Sequence, residues 1–274
     1  MDKTVHPIIL ITGASSGIGE STARLFASRG YCAVLASRRI ERLANIADEI
    51  NTGGGKALVI PADVSKMEDI HNLVDTTLRQ YERIDVLFNN AGFGRLDWLE
   101  NLDENQDIEP QVQVNLLGVI ECCRAVLPSM ITSKRGHIIN MSSLAGWIGT
   151  PTYSIYAASK FGVRGFTEAL RREVSVYGVQ VSGIYPGAVD TEFNQHARIR
   201  RKTGLSTPAR MRLRSSDVAE AVWKLVQHPR RSMVIPRIMW AAIWLNTLFP
   251  GLADWTIEKR FVAKERGEKS VIHK

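Results

Sequence analysis

The 274-residue chain is poor in cysteine, with only Cys32, Cys122 and Cys123. They form no Cys-x-x-Cys pair and no metal-ligand spacing, so neither a disulfide framework nor a metal site is expected. They read as reduced, non-catalytic thiols of a cytoplasmic protein. Long apolar runs are lacking as well. Pro7 to Ile11 is too short for the apolar core of a signal peptide and no cleavage site follows it. No segment reads as the roughly 20 apolar residues of a spanning helix. Most of the chain also lacks any excess of one charge. Its 35 basic and 28 acidic residues leave a net charge of +7. Arg198, Arg200, Arg201, Lys202, Arg210, Arg212 and Arg214 lie between Gln195 and Ser216 with no acid among them, and they equal that excess. This is a neutral domain with one basic segment, which argues against a nucleic-acid partner.

What is present is an alternation of strand-like and helix-like stretches. Short apolar runs at Pro7–Thr12, Cys32–Ala36, Ala57–Ala62, Val86–Asn89, His137–Met141, Val179–Ile184 and Met233–Ile235 lack strict polar alternation, as strands covered on both faces do. Helical patterns fall between them at Ile18–Arg29, Ile40–Asn51, Met67–Tyr81, Glu109–Thr132, Tyr153–Tyr177 and Ser216–Gln227. Such alternation implies a doubly wound parallel sheet in three layers, α/β/α, with right-handed crossovers. No repeat or linker interrupts it. The expected organisation is one α/β domain over residues 1–235, followed by an apolar helical extension over 236–274.

The first strand runs into Thr12-Gly13-Ala14-Ser15-Ser16-Gly17-Ile18-Gly19 and then a helix. A glycine turn at this junction lets a backbone approach a pyrophosphate, and the helix N-terminus supplies free N–H groups and a positive dipole end. A plain structural turn is the competing reading. The spacing, Gly-x-x-x-Gly-x-Gly, differs from the general dinucleotide fingerprint.

That turn resembles the first turn of the short-chain dehydrogenase/reductases. The remaining motifs follow in that family's order: Asp63-Val64 after the third strand, Asn89-Asn90-Ala91-Gly92 after the fourth, Asn115 in the long helix, Ser143, Tyr156-x-x-x-Lys160, and Pro186-Gly187 after the sixth. The resemblance spans about Ile8 to Ile235. It implies a Rossmann-type fold and a nicotinamide dinucleotide. It places Asp63 on the adenine amino group, Val64 beside the ring, Asn89 and Gly92 along the adenosine ribose and in support of the central strand, Ala91 among the cofactor-binding residues, and Val189 and Thr191 on the carboxamide. Dimers or tetramers through the two long helices are also implied.

The end of the second strand separates the two cofactors. NAD-binding sites of this kind place a carboxylate there for the ribose hydroxyls. This chain has Ser37, Arg38 and Arg39, and guanidinium groups suit a 2′-phosphate. NADP(H) is therefore expected over NAD(H), with Arg38 carrying most of the preference. The competing reading is a solvated helix start.

Tyr156 and Lys160, four apart in a helical pattern, share one face. An ammonium beside a phenol lowers a pKa that is otherwise about 10. Tyr156 could then exchange a proton with a carbonyl or alcohol oxygen, while Lys160 also holds the nicotinamide ribose. By the resemblance, Ser143 orients the substrate oxygen and Asn115 supports Lys160 through a water. Ser142 is the neighbouring alternative to Ser143. The expected activity is hydride transfer between nicotinamide and a carbonyl or secondary alcohol carbon. The alternative from another class is a non-catalytic nucleotide-binding protein acting at a membrane or partner surface, against which the intact set of four catalytic residue types counts.

Substrate selection falls to loops at the carboxyl ends of the strands. The candidate lining, Phe93, Leu144, Ala145, Trp147, Ile148, Tyr153 and Phe193, is apolar and suits a steroid-, retinoid- or lipid-like compound; the competing reading makes about half of it ordinary core. Residues 192–215 occupy the place of a lid. Beyond it, Ile238 to Phe249 is apolar and too short to span a bilayer, with Trp240, Trp244 and Trp255 at helical spacing. It reads either as a helix packed on the domain or on a partner subunit, or as a helix lying on a membrane surface. The second reading would bring the basic segment to an anionic surface and the protein to a peripheral membrane location.

Overall fold

The structure is a computed structural model that describes residues 6–193, 197 and 211–267. Of the basic segment, Arg198, Arg200, Arg201, Lys202 and Arg210 lie outside the described residues, as does most of the expected lid.

The first half of the chain alternates β1 Ile8–Thr12, α1 Gly17–Ser28, β2 Cys32–Ser37, α2 Ile40–Thr52, β3 Lys56–Pro61, α3 Met67–Tyr81 and β4 Val86–Asn89. A long helix, α4, runs over Glu104–Ser133. Then come β5 Gly136–Met141, α5 Ser154–Val174, β6 Val179–Pro186, the two-residue strands β7 Val189–Asp190 and β8 Leu213–Arg214, α6 Ser215–Gln227 and β9 Ser232–Ile235. Two helices end the regular structure, α7 Met239–Leu248 and α8 Pro250–Ile257, with further helical turns reaching Arg266.

Seven strands form one sheet in the order β3-β2-β1-β4-β5-β6-β9, every pair parallel. All five residues of β1 are buried, which only an apolar strand covered on both faces tolerates. Phe26 from α1, Leu43 from α2 and Val222 from α6 cover one face; Leu73 from α3, Val126 from α4 and Val163 from α5 cover the other. Burying each such side chain contributes about 1.5–3 kcal/mol. The expected three-layer fold is the observed one.

Three elements depart from the sequence reading. Helix α4 begins at Glu104, not Glu109, and includes two π turns, Glu104–Ile108 and Gln113–Leu117. By length and composition it is also apolar enough to cross a membrane, which no segment was expected to be. Its apolar side is committed to the sheet through Val119, Cys122, Cys123, Val126 and Met130, as in a core helix. The second departure is the pairing of β7 with β8; two residues are too few for a pattern to show. The third is the apolar tail: the helical spacing read from Trp240 through Trp255 is split between α7 and α8, because Pro250 opens a new helix.

The three cysteines are free and buried. Burial raises all three thiol pKa values, that of Cys122 to about 12, which leaves them poor nucleophiles.

Candidate active site

The strand order reverses between β1 and β4, the place where doubly wound sheets open a crevice at their carboxyl ends. A cleft of about 1080 Å³ lies there. The glycine turn, the end of β2, Asp63 and Val64, Ala91 to Phe93, Ser143, Tyr156, Lys160, Pro186 to Val189 and Thr191 to Phe193 all contribute to its walls.

The turn is shaped for a phosphate. Gly13 (φ +67°) and Gly17 (φ +57°) take left-handed conformations that favour glycine. A Cβ on Gly13 would lie 2.8 Å from Ala91 Cα, and one on Gly17 would lie 3.2 Å from Thr191 Cγ2. The backbone is thus exposed to the cleft with no side chain in the way, and α1 points its N-terminus at the same space. These residues fit a dinucleotide pyrophosphate. Gly19 does not line the cleft; its missing Cβ would instead meet Gly13 O and Asn90 Nδ2.

Asn90 holds this turn in place. Its Nδ2 donates to Thr12 O at 3.0 Å and Gly13 O at 3.1 Å, and the N–H groups of Asn90 and Ala91 both donate to Thr12 Oγ1 at 3.1 Å. The sequence reading had placed the neighbouring Asn89 on the ribose. The structure corrects this. Asn89 faces away from the cleft into the core, where its Nδ2 donates to Asn140 Oδ1 at 2.9 Å. In a strand, neighbours point to opposite faces, so only one of the pair can serve each side.

At the end of β2 the two arginines divide. Arg38 is mostly exposed and lies 3.6 Å from Asp63 Oδ2. Arg39 reaches back over the turn, donating from Nε to Ser15 Oγ at 2.9 Å and from Nη2 to Ser16 Oγ at 2.5 Å. Its Nη1 donates to Glu192 Oε2 at 2.8 Å, and Arg42, one turn into α2, donates to the other oxygen at 2.6 Å. The hydrogen bonds from Arg39 and then Arg42 bring the Glu192 carboxyl down to about 2. Arg39, more than Arg38, is the guanidinium at the turn. A carboxylate does reach this end of the cleft, but from 150 residues away. Ser37 Oγ accepts from the Arg39 N–H at 3.1 Å, ordering the bend. Asp63 feels burial upward, but the Ser65 N–H and hydroxyl, Arg38 and Lys66 outweigh it and hold its carboxyl below the usual range.

The side chains expected to be catalytic converge at the other end. Tyr156 and Lys160 lie on one face of α5, buried and lining the cleft. The Lys160 Nζ donates to Met141 O at 3.0 Å and sits 5.8 Å from the Tyr156 ring centroid. Burial lowers the lysine to about 8. Burial also pushes the phenol up to about 12, against a contact with the Ser143 hydroxyl that pulls it down. This reverses the expected direction, since desolvation of the phenolate outweighs the Ser143 contact. Ser142 and Ser143 both line the cleft, but the Ser142 hydroxyl is spent on Lys160 O at 2.9 Å, whereas the Ser143 hydroxyl contacts the phenol. The structure therefore places Ser143, and not Ser142, beside the phenol.

Asn115 is fully buried within the π turn of α4, an irregularity that turns a side chain off the regular helical ladder. Its Oδ1 accepts from the Phe93 N–H at 2.9 Å, and its Nδ2 donates to Phe93 O at 2.7 Å and Ser159 Oγ at 3.4 Å. A Cβ on Gly92 would fall 3.0 Å from Asn115 Oδ1 and 3.4 Å from Lys160 Nζ. Asn115 and Lys160 thus flank one glycine, although Asn115 itself is not on the cleft wall.

Around the phenol the wall is apolar. Phe93, Leu144, Ala145, Ile148, Tyr153 and Phe193 line it, and the Phe193 ring lies 5.5 Å from that of Tyr156. Phe193 fits because Gly94 leaves room; a Cβ there would be 2.7 Å from Phe193 Cζ. Trp147 is a correction: it is absent from the lining and packs behind it. Its ring lies 5.2 Å from Trp240 and 5.6 Å from Tyr185, with the Arg164 guanidinium 3.3 Å above.

The sequence reading missed Asn90, Ser159, Gly94, Arg42 and Glu192 as contributors. Asn90 was visible inside its quoted motif. The others owe their roles to contacts between distant segments, and no local pattern announces those.

A family model described as short chain dehydrogenase matches residues 7–202. A 3-ketodihydrosphingosine reductase of Bacteroides thetaiotaomicron is 37% identical over 82% of this chain and 80% of its own length. Among solved structures, a short-chain dehydrogenase/reductase of Burkholderia phymatum in complex with NAD superposes with a TM-score of 0.81, at 28% identity over 92% of this chain and 97% of that one. A short-chain dehydrogenase of Sphingobium yanoikuyae in complex with NADPH gives 0.77, at 29% identity over 90% and 95%. Fold, site and relatives agree, and the chain belongs to the short-chain dehydrogenase/reductase family of oxidoreductases.

Proposed function

We propose that the protein is an NADP(H)-preferring oxidoreductase that interconverts a ketone and a secondary alcohol on a bulky apolar substrate. The observation that carries this reading is the pairing of two hydroxyls, Ser143 and Tyr156, beside an apolar wall made by Phe93, Leu144, Ala145, Ile148, Tyr153 and Phe193. A substrate oxygen placed on those two hydroxyls sets the carbon beside it toward the nicotinamide end of the cleft.

The dinucleotide supplies or accepts the hydride. Every other task falls to the chain. The Ser143 hydroxyl orients the substrate oxygen. Tyr156 is neutral in the resting protein, because burial holds its pKa up at about 12; its hydroxyl is therefore in the donor form and gives its proton to a carbonyl oxygen during reduction. Lys160, lowered to about 8 by the same burial, stands beside the phenol and takes the ribose hydroxyls. Asn115 fixes the Phe93 backbone that forms the opposite wall. Phe193 covers the phenol and excludes water.

The cofactor preference rests on Arg39 and Arg42, whose guanidinium groups meet on one carboxylate at the turn and match the geometry of a phosphate. The substrate class rests on the apolar lining, and the lipid-like substrate named for the Bacteroides relative is in keeping with it. The long helices α4 and α5 leave Leu117 and Phe161 exposed, which supports a homodimer or homotetramer through them. A screen of NADPH oxidation with long-chain and polycyclic ketones beside hydroxyketones and sugars tests the proposal. Turnover of the apolar ketones is the expected outcome. NADPH binding with no turnover of any carbonyl would overturn it in favour of a nucleotide-binding protein without catalysis.

A further inference from the structure

The C-terminal helices stand on two footings. At the first, Met239 and Trp240 of α7 pack with Leu144 and Ile148, which line the cleft, and with Trp147 and Tyr185 beneath. At the second, Phe261 lies 6.4 Å from Trp98, and Arg266 sits 3.9 Å over the same ring while pairing with Glu100 at 2.8 Å. Between the footings the chain is an arch with an unusual crown. From Ile238 to Ala253 it carries no charged residue. From Ala241 to Leu252 every residue is exposed except Ile243, which is buried, and Asn246, which is partly so. Trp244, Leu245, Leu248, Phe249, Leu252 and Trp255 are all large and exposed.

We propose that this crown is a docking element for an anionic lipid surface. Three observations choose that occupant over a second copy of the chain. First, the apolar surface is not a stripe. Ala241, Ala242, Trp244, Leu245 and Leu248 are successive enough to face several directions from one short helix. A flat protein partner covers one face, whereas the headgroup–acyl boundary surrounds a helix pressed into it. Second, the large exposed side chains include two tryptophans, the residue type suited to the membrane interface. Third, the charge around the crown is complementary to anionic lipid. Between His228 and Lys264 the exposed cations Arg230, Arg231, Arg237, Lys259, Arg260 and Lys264 bracket the uncharged stretch, against the two acids Asp254 and Glu258 on the surface there. The first footing borders the cleft through Leu144 and Ile148, so docking would turn the apolar substrate mouth toward the bilayer.

Docking does not depend on the cofactor or substrate reading, and its test does not use turnover. The full-length protein is sedimented with vesicles of phosphatidylcholine alone and with vesicles of phosphatidylcholine and phosphatidylglycerol in equal parts. The expected result is association with the mixed vesicles, about tenfold weaker on neutral vesicles and weakened by salt. The combined Trp244→Gln and Leu248→Gln variant should lose about tenfold in affinity for mixed vesicles with its melting temperature and NADPH binding unchanged, because both side chains are exposed. Should that variant fold poorly, Lys259→Glu with Arg260→Glu gives the same readout from the charged flank. Equal recovery in the supernatant with and without anionic lipid would overturn the proposal. So would a variant that separates an oligomer into monomers by light scattering while vesicle affinity stays the same, since a second copy would then be the occupant.

Discussion

The two ends of the cleft hold their charged groups in opposite ways. At the nicotinamide end Tyr156 and Lys160 are buried, and burial is the largest influence on each, leaving the phenol up at about 12 and the lysine down at about 8. At the adenosine end Arg38, Arg39, Arg42 and Glu192 lie near solvent and settle their charges by pairing. Desolvation sets the chemistry at one end; screened Coulomb attraction sets recognition at the other. Changes at the first end should therefore be large and indifferent to salt, and changes at the second modest and salt-dependent.

The largest expected effect is at the phenol. Tyr156→Phe removes the one hydroxyl able to pass the proton and should lower turnover about 10²- to 10⁴-fold, with NADPH affinity nearly unchanged by fluorescence titration. A variant that keeps more than about a tenth of the wild-type rate removes Tyr156 from the role of proton donor.

Lys160 gives the next contrast. Its pKa is about 8 in the folded protein against an ordinary 10.5. The unfolded chain then binds more protons between those values, so stability rises as pH climbs from about 8 to 10.5, by up to about 3 kcal/mol, and the cost of the buried ammonium is complete below pH 8. Lys160→Met should melt higher than wild type at neutral pH, and that advantage should fade toward pH 10.5. A constant difference across this range would mean that the ammonium is not desolvated as the geometry implies.

The same division explains what the sequence made legible. The nicotinamide end is built from residues close in sequence or on one helix face, so Ser143, Tyr156 and Lys160 were found from spacing together with the family resemblance. The alternating strands and helices were legible because burial on both sheet faces forces continuous apolar runs. At the adenosine end the residues that meet are Ser15, Arg39, Arg42 and Glu192, and no periodicity links the last to the first. Choosing between Arg38 and Arg39 needed the direction of the chain after β2. Asn89 and Trp147 were misplaced for a related reason: each neighbours a true cleft residue, and only the pleat or the turn decides which of two neighbours faces inward. The two-residue strands β7 and β8 were below the length at which any pattern exists.

At the exposed end, Arg39→Ala should weaken NADPH binding about tenfold and NADH binding much less, with Arg38→Ala having the smaller effect of the two. Isothermal titration of the two cofactors against both variants measures this, and equal losses for NADPH and NADH would remove Arg39 as a phosphate partner. The smallest expected change is at Glu192, which occupies the guanidinium groups that a 2′-phosphate would need. Glu192→Gln should tighten NADPH a few-fold and leave NADH as it was. Weaker NADPH binding would show instead that Glu192 holds the arginines in place for the phosphate.

The contrast between the ends is tested most directly by steady-state kinetics with NADPH and with NADH, using one long-chain ketone, as salt is raised from about 50 mM to about 500 mM. The account predicts a flat kcat with both cofactors, a KM for NADPH that climbs with salt, and a KM for NADH that hardly moves. A kcat that falls with salt, or the same salt response for NADPH and NADH, would contradict it.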